Sequence, residues 1–150
     1  MSLAINLLFI GHRRLAVVLA EIQMHIDDMN WAGATRKGRE FADLLVPQLH
    51  ADEVFIRGEL ATLDGACKPA WQPLHAKRRR LEDEHHRLIQ ALEAHSAPDV
   101  QMTLPPLSDA LKQWAQERMA ALACIEGAHG DVSTELARAL TPPPSGHTSH

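Results

Sequence analysis

Residues 46 to 60 read VPQLHADEVFIRGEL, and the way this stretch divides between core and surface decides the reading of the whole chain. Pro47 stands inside what is otherwise a helical pattern. It removes one backbone donor and crowds the carbonyl four residues back, so a kink is expected there. Leu45, Leu49, Glu53, Ile56, Leu60 and Leu63 form the apolar stripe, which points the Glu53 carboxylate inward. His50 and Asp52 fall on the flanks, where they are solvated unless the kink turns one of them in.

The same interruption recurs on either side. Upstream, Ile5, Leu8, Leu15, Leu19, Ile22, Ile26 and Met29 keep a helical 3,4 spacing with one gap, which His12 fills. Asn30 and Gly33 punctuate the chain, so the second helix is predicted from about Arg36 to Leu63. Downstream, Leu74, Leu81, His85, Leu88 and Leu92 share a stripe, again with one histidine in it. A fourth helix is predicted from Pro105 or Ser108, carrying Leu111, Trp114, Leu122, Ile125, Val132, Leu136 and Leu140. Gly127 and Gly130 should bend or fray it. Residues 142–150 close the chain as an expected disordered tail.

Four amphipathic segments with mostly short connections give an all-α expectation, an antiparallel up-down-up-down four-helix bundle over residues 1–141. Composition agrees: aromatic residues are only 4% and Tyr is absent, while Ala and Leu recur, which favours helices over a β-sandwich.

Depth along each helix follows from the rise of 1.5 Å per residue. His12 and Glu53 each lie about 18 residues from the first turn, and Glu53 and His85 about 12 and 14 from the second, so all three are expected in one layer. On the fourth helix that level falls near Arg118, with Cys124 about 9 Å and His129 about 16 Å beyond it.

Several function classes have no support in the sequence. The formal charge is −4, and the one basic run, KRRR at 77–80, is followed at once by LEDEHH, so no nucleic-acid partner is expected. No uninterrupted apolar run approaches the roughly 20 residues of a membrane span. Cys67 and Cys124 form neither a CxxC pair nor a disulfide framework, which points to a reducing cytoplasm, with Cys124 packed as a small hydrophobe. No nucleophile beside a base, phosphate loop or zinc spacing is present, so no enzymatic activity is expected.

GHRRL at 11–15, PQLHADEVF at 47–55, EHHRLIQAL at 84–92 and ACIEGAHGDV at 123–132 together resemble the hemerythrin-like, or HHE cation-binding, family. The likeness covers about residues 5 to 140. Family members are four-helix bundles holding a di-iron centre with His and carboxylate ligands from all four helices. The resemblance carries over His12, Glu53 and His85, with His86 and His50 as neighbouring candidates. Leu49 and Cys124 stand at expected His positions, and Ala128 at an expected carboxylate. What it implies is a non-haem iron-binding protein with a reduced, not di-iron, site, handling or sensing O2, NO or iron. The alternative is a metal-free structural or regulatory bundle, with iron lost as cofactor. A homodimer is compatible with either.

Each residue also has a plainer reading. A lone seam histidine is more often a hydrogen-bonded core residue, and Glu53 can reach solvent from the stripe edge. Glu82-x-x-His85 and Glu126-x-x-His129 match the spacing of ferritin-like di-iron bundles, but they fall on consecutive helices and read as coincidence.

Overall fold

The computed structural model describes residues 2–141, and every regular element among them is helical. The expected tail at 142–150 lies outside the described residues. Helix α1 spans Leu3–Asp27, α2 Trp31–Ala51, α3 Arg57–Ala61, α4 Trp71–Glu93, α5 Ala97–His129 and α6 Ser133–Leu140. A π-helical turn, Asp52–Ile56, joins α2 to α3 without a break, and a 3-10 turn, Gly65–Ala70, leads into α4.

The helix starts are set by side-chain caps. Ser2 Oγ accepts from the Ile5 N–H at 3.0 Å, Asn30 Oδ1 from Gly33 N–H at 2.9 Å, and Ser96 Oγ from Asp99 N–H at 3.3 Å. Each satisfies one donor that a helix N-terminus otherwise leaves unpaired. Two of these starts precede the expected ones. α2 begins at Trp31 rather than Arg36, because Gly33 sits inside its first turn. α5 begins at Ala97 rather than Pro105 or Ser108, with Pro98 in the first turn and Pro105 and Pro106 farther along the same helix. The predicted fourth helix is also cut in two. Gly130 takes a positive φ of 79° and caps α5, so Val132, Leu136 and Leu140 belong to the turn that follows α5 and to α6.

α1 packs against α2 and α5, α4 against α5 and α2, and α6 across α1 and α2. The interior is built from Leu8, Leu15, Ile22, Phe41, Leu45, Ile56, Leu60, Leu74, Leu81, Leu88 and Trp114, all essentially inaccessible. α1 has an 18-residue window of mean hydropathy 1.6, enough by length and composition alone to cross a membrane. Counting uninterrupted apolar runs misses this, since Arg13 and Arg14 break the run. One line of α1, through Leu8, Leu15 and Ile22, is buried in this core.

Cys67 and Cys124 are joined by a disulfide, with Cα atoms 5.6 Å apart. The expectation of a lone buried Cys124 is therefore corrected. The two sites are 57 residues apart in sequence, and spacing alone does not reveal that the 3-10 turn folds onto α5.

Candidate functional site

The carboxylate that faces inward is Asp52, at the start of the π-turn, and not Glu53. From Phe41 and Leu45 the inward line runs through half-buried Gln48 to Asp52, then within the turn through Phe55 and Ile56, and beyond it to Leu60. Asp52 is completely buried, whereas Glu53 is partly exposed. A π-turn inserts one residue into the helical repeat and so shifts the frame of everything after it.

Asp52 is held on both oxygens. Trp114 Nε1 donates to Oδ2 at 2.9 Å, and Arg118 Nε donates to Oδ1 at 2.7 Å. Trp114 and Arg118 are four residues apart on α5, which puts both on one face. The guanidinium carbon lies 4.4 Å from the centroid of the Trp114 ring, a cation–π arrangement. The rest of the Arg118 fork is also occupied. Nη1 donates to Gln48 Oε1 at 2.7 Å and lies 3.0 Å from His12 Nε2. Nη2 donates to the Gln48 carbonyl at 3.2 Å. Arg118 is 0% exposed.

His12 completes the layer from α1. Its Nε2 faces an N–H donor, so it acts as acceptor and the ring proton sits on Nδ1, which has no partner. The ring meets Trp114 edge-on, with centroids 5.3 Å apart. Burial, reinforced by the charge of Arg118, pushes the His12 pKa down to about 3. Burial also lowers the Arg118 pKa, against the raising effect of Asp52.

The layer therefore ties α1, α2, the π-turn and α5 together through one cation and one anion. It is a poor place for a metal ion. The His12 lone pair is directed at a guanidinium, the Asp52 oxygens are both taken, and a second cation would meet Arg118 at close range. Iron does not fit this donor set.

Of the other expected ligands, none joins His12. Glu53 Oε1 accepts from Arg78 Nη1 at 2.6 Å and Oε2 from Arg57 Nη1 at 3.1 Å. Burial alone would raise the Glu53 pKa, but the hydrogen bonds and charges of Arg57 and Arg78 outweigh it and hold the carboxyl low. His85 is half-buried beside Phe41, with ring centroids 5.3 Å apart. Burial, then the neighbouring His86, lowers its pKa. His86 and His50 are exposed. Among the described residues, no group of three His, Cys, Asp or Glu side chains is placed to hold a metal ion.

The expected common level of His12, Glu53 and His85 is thus corrected. Glu53 meets α4 at Arg78 while His85 sits seven residues farther on, roughly 10 Å along the helix. For His12 and Glu53 the cause is the early start of α2: moving its origin from Arg36 to Trp31 shifts depths along it by roughly 7 Å and brings Gln48, not Glu53, level with His12. Gly11 marks that level, since a Cβ there would come 2.6 Å from Gln48 Nε2.

The positions equated with lost ligands are elsewhere too. Cys124 is bonded to Cys67, Ala128 is exposed and Leu49 is only partly buried. His129 pairs with Glu59 at 3.7 Å, and Glu126 accepts from the Val132 N–H at 3.4 Å, so their spacing serves the end of α5.

Sequence reasoning missed Gln48, Trp114 and Arg118 as a unit and left Asp52 on the flank. A signal existed. Phe41, Leu45, Gln48 and Asp52 are spaced 4, 3, 4, and Leu111, Trp114, Arg118, Leu122 and Ile125 run 3, 4, 4, 3. An acidic gap on one seam and a basic gap on another are a pair waiting to be matched.

Compared with known proteins, the chain matches no family model, no curated protein and no solved structure.

Proposed function

We propose that this chain is an antiparallel up-down-up-down four-helix bundle of hemerythrin-like architecture that works without a metal, as a non-enzymatic structural or regulatory module. The observation that carries this reading is the Arg118 guanidinium, bonded to Asp52 and Gln48 and facing His12 in the layer where metal ligands were expected. The bundle topology is supported by the pairings between helices. Lys37 reaches Glu21, Arg118 joins His12 to Gln48, Arg78 reaches Glu53, and Lys77 reaches Gln113. Residue numbers rise on one helix as they fall on its neighbour for α1 with α2. The Cys67–Cys124 bond supports an oxidising compartment over the cytoplasm first expected.

The iron reading, with O2, NO or iron itself handled at the site, needs His12, Glu53 and His85 at one point, and they are apart. Metal analysis of protein purified without a metal-affinity step, followed by anaerobic Fe(II) titration, tests the choice. Substoichiometric metal and no saturable Fe(II) binding are expected. One tightly held iron per chain would overturn the metal-free reading.

A further inference from the structure

We propose that the outer face of α1 takes a second copy of this chain, the two α1 helices crossing in opposite directions about a two-fold axis at Val17. Leu3, Ile10, Val17 and Met24 are spaced by seven residues, which puts them on one line along the helix. They are 66%, 57%, 55% and 63% exposed. The buried line Leu8, Leu15 and Ile22 occupies the opposite side of the same helix. α1 is therefore apolar on two faces, and among the described residues only one of them is covered.

The charges along that face say what fits it. Arg13 and Arg14 lie one turn to the N-terminal side of Val17, and Glu21 lies one turn to the C-terminal side, with Glu40 of α2 beside it. Together with Ile10, Val17 and Leu44 they line a concave groove of about 310 Å³. Lys37 bridges Glu21 and Glu40, which leaves that end with a net charge of −1. An interface between identical copies has to be self-complementary. Arg13 and Glu21 are each four residues from Val17, so an axis there sets Arg13 of one copy against Glu21 of the other, twice. The same axis brings Ile10 against Met24 and Val17 against itself. A lipid surface fits less well, because the arginines sit in the middle of the apolar line rather than at its ends.

The test is sedimentation equilibrium on the oxidised full chain, with helix content followed by circular dichroism. The set is wild type, Val17→Glu, Arg13→Glu, Glu21→Arg and the Arg13→Glu/Glu21→Arg double variant. Wild type should be a reversible dimer and Val17→Glu a monomer of unchanged helicity; Met24→Glu replaces it if Val17→Glu loses helix. Each single reversal should weaken association about three- to thirtyfold, and the double should recover most of it. A wild type monomeric up to about 0.1 mM, or a dimer indifferent to both Val17→Glu and Met24→Glu, overturns the proposal. A double variant no tighter than the singles overturns the antiparallel register. Binding of a monomeric chain to phosphatidylcholine/phosphatidylserine vesicles, lost on Val17→Glu, would assign the face to a membrane instead. Iron content is read separately, so this result and the metal-free reading fail independently.

Discussion

Arg118 on α5 and Asp52 in the π-turn, 66 positions apart in the chain, meet through an N–H···O bond of 2.7 Å with both side chains fully buried. Two charges in such a place stabilise little against an apolar pair, but removing one strands the other. Arg118→Met should therefore cost about 3–5 kcal/mol in a denaturant titration. Asp52→Asn combined with Arg118→Met should cost less than the sum of the single changes, because the amide oxygen of the new side chain still accepts from Trp114 and no lone charge remains. Strict additivity would mean the pair is not coupled.

The neighbouring carboxylate should behave differently. Glu53 is a partly exposed partner of Arg57 and Arg78, so Glu53→Gln should cost at most about 1 kcal/mol. Asp52→Ala should cost several times that, by stranding Arg118. A reversed order, measured by the same titration, would show that Glu53 faces the interior.

His12 gives the fold an acid sensitivity. Its native pKa is about 3, against 6.5 for the free side chain. Between those values the unfolded chain binds a proton that the native chain refuses, so stability present above pH 6.5 is lost as pH falls toward 3. The full effect is on the order of 4 kcal/mol. The His12 ring faces the Arg118 guanidinium and the Trp114 ring, and the oxygens that Arg118 engages, on Asp52 and Gln48, are already accepting from it, so a proton added at Nε2 would point at a cation. Replacing His12 by Gln should flatten the stability profile between about pH 4 and pH 6.5 relative to wild type. An unchanged slope would remove His12 from this role.

The Cys67–Cys124 bond closes a loop spanning 57 positions, which the entropy of the unfolded chain makes worth about 4 kcal/mol. Reduction with dithiothreitol, or Cys67→Ser, should lower the melting temperature by on the order of 10 °C. Thiol titration of the unreduced, denatured protein should find no free cysteine. Two free thiols there would refute the bond.

Installing family ligands should not create an iron site. Leu49→His, Cys124→His and Ala128→Glu together would break the disulfide and place one carboxylate on the exposed end of α5, while Arg118 keeps the central layer. Melting with and without anaerobic Fe(II) should show no shift beyond that of wild type. A clear Fe(II)-dependent rise would put the ligand positions back around one cavity.

What the sequence determined by itself is local: helical periodicity, the stripes through Leu8, Leu45, Leu81 and Leu111, and a polar residue set among apolar ones at His12. Those follow from spacing, which survives in one dimension. Tertiary structure decided the rest. Which of two seams faced the interior was one such decision: the 4, 3, 4 line through Phe41, Leu45, Gln48 and Asp52 took the core in place of the line through Leu49 and Glu53, because neighbouring positions differ by about 100° and contacts with α1 and α5 chose between them. Helix starts at Trp31 and Ala97 reset which residues stand level, because depth accumulates from the cap and the prolines at 98, 105 and 106 were tolerated inside α5. The pairing of Arg118 with Asp52, and of Cys67 with Cys124, depends on contacts between distant segments, and no spacing along the chain encodes which distant partner a buried charge or thiol will meet.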